Sequence, residues 1–222
     1  MNYIDKIYVI HYSPLKDRME FMLKQFALFG ITNYDFVEGP SRHELTHQLV
    51  NSYFREKDGK SLTKAEIAIT ITHIEVYKDI IKNNYKTCLI LEDDAVLCDD
   101  FTKHLARFMD CIPSDYDIAF INNGGGLHDD RTVPDVLWYK QTSTRTCCGY
   151  IVTKKACEDI LSEILPFSEA IDHAMNGIIG KKNLNVYWAE PTLIEDGSVL
   201  YGSSHYENRL GKYLKMYNDG DL

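Results

Sequence analysis

Three consecutive acids, Glu92, Asp93 and Asp94, directly follow the apolar stretch CLIL at residues 88–91. Two carboxylates separated by one residue point to the same side of an extended segment. This spacing predicts that Glu92 and Asp94 share one ligand and that Asp93 faces away. Carboxylate oxygens suit a hard divalent cation such as Mg²⁺ or Mn²⁺, with water and substrate phosphate completing the coordination shell. The acids therefore indicate a cation site that receives a phosphorylated substrate.

Other uses of acid pairs fit this stretch less well. A phosphatase of the aspartyl-phosphate type needs D-x-D-x-T/V, and Glu92 stands where its nucleophilic aspartate belongs. A calcium loop of the EF-hand kind needs alternating oxygen ligands and a central glycine, which Val96 and Leu97 do not supply. A solvated acidic turn is the structural alternative, and Asp99 and Asp100 are interpreted as the cap of the next helix. A nucleotide-sugar glycosyltransferase fits best, because its cation offsets the charge of the departing nucleoside diphosphate.

Strand and helix signals alternate along the chain. Runs rich in β-branched and aromatic residues predict strands at KIYVIHY, NYDFVEG, YKTCLILEDDA, YDIAFIN, TCCGYIVT and NVYWAEPTLIED. Helical spacing predicts helices between them, including one that ends at Gly30 and one that begins with a capping box of Thr63 and Glu66. The alternation predicts an α/β fold with a mostly parallel sheet and helices on both faces. The length predicts a single domain over residues 1–222.

Polar residues follow several of these strands. Besides the acids, Ser13-Pro14, Glu38-Gly39 and the loop NNGGG at residues 122–126 all lie at predicted strand ends. Ligands of open α/β sheets bind at the carboxyl ends of the strands. We therefore expect these residues on one rim, around one binding crevice.

The composition narrows the classes of partner. Asp and Glu number 33 against 24 Lys and Arg, and no basic stripe is present, so nucleic acid is not an expected partner. No apolar run approaches the roughly 18 residues of a membrane span, and the N-terminus lacks the regions of a signal peptide. We expect a protein without an integral membrane segment, cytoplasmic or peripheral at a membrane. Cys147 and Cys148 are expected to be reduced packing residues.

Four blocks of the chain carry a resemblance to a known family. They are KIYVIHYSPLKDR, FVEG, LTKAEIAITITHIEVYKDI and LILEDDA, in that order. Over residues 4–100 above all, the chain resembles glycosyltransferase family 25, the lipopolysaccharide and procollagen galactosyltransferase-like family. The resemblance implies a GT-A fold, a Rossmann-like sheet that binds a nucleoside-diphosphate sugar with Mn²⁺ or Mg²⁺. We assign the donor to residues 1–100 and the acceptor to residues 101–215.

The reaction that this resemblance implies is hexosyl transfer with inversion. Galactose or glucose would pass from a UDP-linked donor to a saccharide hydroxyl, in glycan or lipopolysaccharide biosynthesis. The partners would be the nucleotide-sugar donor and the saccharide acceptor. The cation ligands would be Glu92 and Asp94, and a third would be His205, because a late histidine can be a metal ligand in GT-A folds.

Residues near the strand ends are expected to contact the donor. Arg18 can pair with a donor phosphate or with a carboxylate of the acid run. Tyr12 and Pro14 can line the nucleoside pocket, and Glu38 can accept a hydrogen bond from the base or ribose, as the acidic residue of the family does there. Asp93 is expected on the ribose or in a structural role. The structural alternatives are a surface arginine and solvated turns.

The remaining candidates lie on predicted helices and late in the chain. Glu66 and His73 share one helix face and match the family pattern LTxGEIGCxLSH, so we assign them to the site, as orienting residues for the acids. A hydrogen-bonded core histidine is the alternative. The base for the acceptor hydroxyl is expected at Asp172, because the family carries an aspartate in a comparable segment. Further candidates for catalysis are Glu195, Asp196 and His205.

Departures from the family pattern leave a second function open. His11 stands where the family has asparagine, and Lys16 where it has its first arginine. Ala65 and Ala68 stand where the family has glycines, and Thr72 where it has serine. The alternative function is therefore a non-catalytic nucleotide-sugar-binding or scaffold protein with the same fold.

Overall fold

A computed structural model describes residues 3–41, 44–57, 59, 61–124, 133 and 135–197 of the 222-residue chain. The elements in these ranges are β1 (Lys6–His11), α1 (Lys16–Leu28), β2 (Tyr34–Glu38), α2 (His47–Tyr53), α3 (Lys64–Lys82), β3 (Thr87–Glu92), β4 (Ala95–Leu97), α4 (Phe101–Asp110), β5 (Ile118–Phe120), β6 (Trp138–Gln141), β7 (Gly149–Thr153), α5 (Lys154–Ile164), α6 (Ile171–Lys182), β8 (Val186–Ala189) and β9 (Ile194–Asp196). No helix within the described ranges is both long and apolar enough to cross a membrane.

The central sheet has seven strands in the order β2-β1-β3-β7-β5-β8-β6. Strands β2, β1 and β3 are parallel, and β8 is parallel to β5. Strand β7 is antiparallel to both β3 and β5, and β6 is antiparallel to β8. Five of the seven strands therefore share one direction, which confirms the predicted mostly parallel sheet. Strands β4 and β9 form a separate antiparallel pair.

Helices cover both faces of the sheet, as predicted. Alternation along β1 sends Tyr8 and Ile10 into one apolar core and Ile7 and Val9 into the other. The first core contains buried residues of α3, α5 and α6, and the second contains buried residues of α1 and α4. The sheet is thus buried on both faces, and ligands can reach it at its edges and rims.

Local signals in the sequence correctly mark several helix ends. Thr63 and Glu66 form the predicted capping box at the start of α3. Gly30, just after α1, has a φ of +64°, a conformation that glycine adopts without a steric penalty. Asp100 occupies the N-cap position of α4, as predicted, with a φ of +52°. Its side chain makes no cap hydrogen bond, so the predicted capping interaction is absent.

The late segment NVYWAEPTLIED forms two strands in place of the single one predicted. Strand β8 pairs with neighbours on both sides, and β9 pairs with β4 outside the main sheet. Pro191 lies between them and has no backbone N–H to give to a central ladder. The proline therefore separates a strand of the sheet from a strand that leads to the rim.

Candidate active site

The carboxyl ends of β1, β2 and β3 lie side by side. Ladder pairing sets His11 opposite Glu38 and Ile10 opposite Glu92. A cleft of about 390 Å³ opens at this rim, between the strand ends, α1 and α3. Polar and small residues on its wall include His11, Tyr12, Arg18, Gly39, Pro40, Ala65, Ala68, Thr72, Glu92, Asp93 and Asp94.

Asp93 is the structural centre of the acid run. Its Oδ2 lies 2.8 Å from His11 Nδ1 and accepts from the Tyr12 backbone N–H at 3.2 Å, while its Oδ1 accepts from Arg18 Nη1 at 2.8 Å. Because β3 ends at Glu92, the next two residues turn, and the predicted alternation of the three acids is wrong. Asp93 lines the same cleft as Glu92 and Asp94, and its contacts hold α1 and the end of β1 against β3.

Asp94 reaches three other segments of the chain. Its Oδ2 accepts from Arg18 Nη1 at 3.0 Å, and its Oδ1 lies 3.9 Å from Cys148 Sγ. One ligand atom each from Asp94, Cys148 and Asp196 lies within 4.8 Å of the other two. A Cβ on Gly197 would lie 2.2 Å from the Asp94 carbonyl oxygen, so this glycine lets the end of β9 approach the acid turn. We call Asp94, Cys148 and Asp196 the donor trio.

The charge around the donor trio favours a bound cation. Burial, followed by repulsion from Asp196 and Asp93, raises the pKa of Glu92 above its ordinary range. Burial and then the charge of Glu92 raise the pKa of Asp94, while Arg18 acts in the opposite direction. Two carboxylates and a thiol are donors that divalent cations accept, and the trio converges beside an open cleft. The residues present therefore fit a divalent cation.

Glu92 lies close enough to the trio for its charge to raise the pKa of Asp94 and of Cys148, and its predicted contact with the cation stays a prediction. Its Oε1 lies 3.4 Å from His73 Nε2, and His73 Nδ1 lies 2.8 Å from the Tyr150 hydroxyl, which is 2.6 Å from the Tyr77 hydroxyl. Burial lowers the pKa of His73 to about 3, although the charge of Asp172 opposes the shift. His73 is therefore neutral at physiological pH and offers Glu92 one fixed ring nitrogen. We predicted that His73 orients the acids. That role stays a prediction, and the contact identifies Glu92 as the acid concerned.

Three other predicted donor contacts lie off the cleft wall. Glu66 Oε2 accepts from both the backbone N–H and the hydroxyl of Thr63, as a capping residue at the exposed start of α3. Glu38 and Pro14 are exposed at the ends of β2 and β1. Their contacts with a donor stay predictions, since none of the three lines the cleft described above.

The late candidates occupy different places. Asp172 lies half-buried in the first turn of α6, and its charge raises the pKa of Glu92 and of Cys147. It therefore lies near enough to the acid cluster for its charge to act there, and its role as base stays a prediction. Glu195 and Asp196 are neighbours on β9, so strand alternation points them to opposite sides, and Asp196 is the one in the donor trio. His205 lies outside the described residues.

Two members of the donor trio were not predicted as ligands. Asp196 was a candidate base, and Cys148 was expected only to pack. Cys148 reaches the rim because β7 pairs antiparallel with β3, which sets Gly149 opposite Leu91 and lets the Cys148 carbonyl accept from the Glu92 N–H. The pattern of apolar residues does not reveal the direction of β7, so no local signal could have found this contact.

The other half of the rim is held by a buried ion pair. Arg145 Nη2 lies 2.5 Å from Glu190 Oε1, and both side chains are at most 5% exposed. The guanidinium also donates to the carbonyls of Gly124 and Ala189 and lies 5.1 Å from the centre of the Trp188 ring. Arg145 thus ties together the ends of β5 and β8.

Comparison with known proteins gives one family and several distant relatives. The family model of glycosyltransferase family 25 (LPS biosynthesis protein) matches residues 4–143. Procollagen galactosyltransferase 2 of Homo sapiens is 22% identical over 216 residues, which are 86% of this chain and 34% of that protein. Procollagen lysyl hydroxylase and glycosyltransferase of Acanthamoeba polyphaga mimivirus is 21% identical over 231 residues, 90% of this chain and 26% of that protein. The chain thus spans about a third or less of the length of these relatives.

A solved structure shows the same fold. The crystal structure of a glycosyltransferase involved in the glycosylation of the major capsid of PBCV-1 superposes with a TM-score of 0.50. The two share 9% identity, and the superposition covers 94% of this chain and 98% of that one. The comparison confirms the α/β architecture of the GT-A type.

Proposed function

Since this chain belongs to glycosyltransferase family 25, we propose that it is a cation-dependent hexosyltransferase that uses a nucleoside-diphosphate sugar. Galactose or glucose passes from a UDP-linked donor to a saccharide hydroxyl, with inversion, in glycan biosynthesis. The chain acts as a single domain, with the donor bound by residues 1–100 and the acceptor by residues 101–215. The observation that carries the proposal is the convergence of the donor trio beside the cleft at the ends of β1 to β3.

The cleft suits the nucleoside of the donor. Its floor is the end of β1, and its far wall is α3, where Ala65 and Ala68 leave space that larger side chains would fill. Gly39 closes the end of β2 onto α3, since a Cβ there would lie 1.8 Å from Thr72 Oγ1. Arg18, 20% exposed between Asp93 and Asp94, is placed to contact the diphosphate. The nucleoside is thus held between strand ends and helix, with its phosphates toward the acids.

Filling the cleft should block donor binding without unfolding the protein. We expect Ala68→Leu to weaken UDP-sugar binding by at least roughly 10-fold, because the added side chain occupies the space of the nucleoside. Ala68 is only partly buried on α3, so the melting temperature should change little. Isothermal titration calorimetry with UDP measures the affinity. Ala27→Leu, at an exposed position of α1, is the matched control, and equal affinities in both variants would contradict this placement.

The donor trio would hold the cation, with Glu92 beside it as a further proposed ligand. When bound, a divalent cation offsets the negative charge of the leaving nucleoside diphosphate. Asp93 keeps α1 and the acid turn in place through His11, Tyr12 and Arg18. His73 holds Glu92 from the core side. These contacts preorganise the negatively charged rim before the donor arrives.

Asp172 is the proposed base for the acceptor hydroxyl. It lies in the first turn of α6, and its charge acts on Glu92. A carboxylate there can accept the proton as the hydroxyl attacks the anomeric carbon from the face opposite the leaving group. Glu195 is the second candidate for this role.

Bound cation should stabilise the fold more at high pH. In the absence of cation, the raised pKa values of Glu92 and Asp94 let the folded chain keep protons that the unfolded chain loses above about pH 4. Stability therefore falls as the pH rises toward the shifted values. A cation binds the deprotonated carboxylates and cancels that loss.

The expected result is a larger Mn²⁺-induced rise in melting temperature at about pH 8 than at about pH 5.5, measured by scanning calorimetry. An equal rise at both pH values, or a larger one at the lower pH, would count against the cation site. In Asp94→Asn, the pH dependence of the Mn²⁺ effect should shrink.

Turnover of a donor panel tests the function as a whole. UDP- and GDP-hexoses are incubated with the protein with and without Mn²⁺, and released nucleotide is measured. Acceptors include lipopolysaccharide core saccharides and procollagen peptides, because the family description and the relatives' names refer to them. Cation-stimulated transfer supports the proposal. Nucleotide-sugar binding without cation-stimulated release would favour the non-catalytic alternative.

A further inference from the structure

The donor trio contains a buried thiol. Cys148 is 2% exposed, and its Sγ lies 3.9 Å from Asp94 Oδ1, the distance of a weak S–H hydrogen bond to a carboxylate. The thiol thus faces the carboxylate directly. Asp196 supplies the third donor. Because this residue is only half-buried, solvent can reach the trio beside it.

The surroundings direct these atoms toward one another. Arg18 holds Asp94 Oδ2 at 3.0 Å, so the other carboxylate oxygen is the one turned to Cys148. Close contact of Gly197 with the Asp94 carbonyl keeps the end of β9 beside the acid turn. The geometry of the trio therefore rests on three separate segments of the chain.

The neighbouring cysteine provides an internal comparison. Cys147 is also buried, but it packs in the core that contains α3, α5 and α6, with its Sγ 3.9 Å from Met175 Sδ. Cys148 packs in the opposite core, on the side of α1 and α4. The two thiols are thus equal in chemistry and nearly equal in burial, but only the Sγ of Cys148 belongs to the donor trio among the residues that the structure describes.

We propose that Cys148 is a sulfur ligand of the cation site and that the site therefore favours thiophilic divalent cations, such as Zn²⁺, Cd²⁺ and Co²⁺, over Mg²⁺. The proposal rests on the proposed function for the existence of a cation site. The thiol would release its proton to solvent when a cation binds, so the ligand that Cys148 supplies would be a thiolate. Soft sulfur ligands shift selectivity away from the hard cations that an all-carboxylate site prefers.

Cobalt spectroscopy tests the sulfur ligand directly. Titration of the full chain with Co²⁺ should produce a near-ultraviolet thiolate-to-cobalt charge-transfer band. Cys148→Ser should lose the band and bind Cd²⁺ at least about 10- to 100-fold more weakly, with Mg²⁺ binding nearly unchanged. Cys147→Ser should keep both the band and the Cd²⁺ affinity. A wild-type chain without the band, or a Cys148→Ser chain that retains it, would overturn the proposal.

A second measurement does not depend on a folded variant. The ¹¹³Cd NMR signal of the wild-type protein separates a sulfur-bound ion from one held by oxygen alone, and an all-oxygen shift would refute the sulfur ligand. That result would leave the transferase proposal standing if Mn²⁺ still stimulated turnover. Absence of sugar transfer with a sulfur-type Cd²⁺ signal would instead reject the enzyme and keep the site.

Discussion

Asp94→Asn should lose cation-stimulated sugar transfer while the protein stays folded. The amide keeps the size of the side chain and one oxygen, but it removes the negative charge with which the donor trio would bind a cation. A bound cation contributes several kcal/mol of transition-state charge stabilisation, so we expect kcat/KM to fall by roughly 10²- to 10⁴-fold. Initial rates of nucleotide release with and without Mn²⁺ measure the effect.

The control for this variant is Asp99→Asn. Asp99 follows β4, five residues after Asp94, but it is exposed and outside the cleft wall, so its loss should leave turnover unchanged. Circular dichroism and the melting temperature establish that both variants fold. An Asp94→Asn protein with full Mn²⁺-dependent turnover would remove Asp94 from the proposed cation site.

Glu190→Ala should have the largest effect on stability. The Arg145 side chain is 2% exposed, and its partner carboxylate is 5% exposed. Removing one member of a buried ion pair takes away the carboxylate that balances the buried guanidinium, which typically costs about 3–5 kcal/mol. The carbonyls of Gly124 and Ala189 still accept from Arg145, but neither carries a charge. Urea unfolding at neutral pH gives the change in the free energy of unfolding.

Two comparisons separate this effect from ordinary ion pairing. Glu158→Ala removes a surface pair with Lys154, whose side chains are 52% and 32% exposed, and should change stability by no more than about 0.5 kcal/mol. Replacing both Arg145 and Glu190 with methionine should cost less than Glu190→Ala alone, because no unpaired charge remains. If Glu190→Ala is as mild as Glu158→Ala, the ion pair does not hold the rim.

Patterns within short segments correctly predict most of the elements. Alternation and β-branched residues mark β1, β2 and β3, and helical spacing with a capping box marks α3. These signals work because period and caps are properties of neighbouring residues. The four-residue β6 was not predicted, since a strand that short shows too few alternations. The segment that forms β8 and β9 was predicted as a single strand. Whether Pro191 divides it depends on which distant strands pair with each part.

The sequence by itself determined that an acid run ends a buried strand, that strands alternate with helices, and that the chain resembles one glycosyltransferase family. Tertiary structure decided which atoms meet at the rim. Cys148 joins Asp94 only because β7 runs antiparallel beside β3, and Asp196 joins them only because β9 pairs with β4. Strand order and direction depend on contacts between residues far apart in the chain. Local patterns do not encode them, so the donors of the proposed cation site could be recognised only in the folded protein.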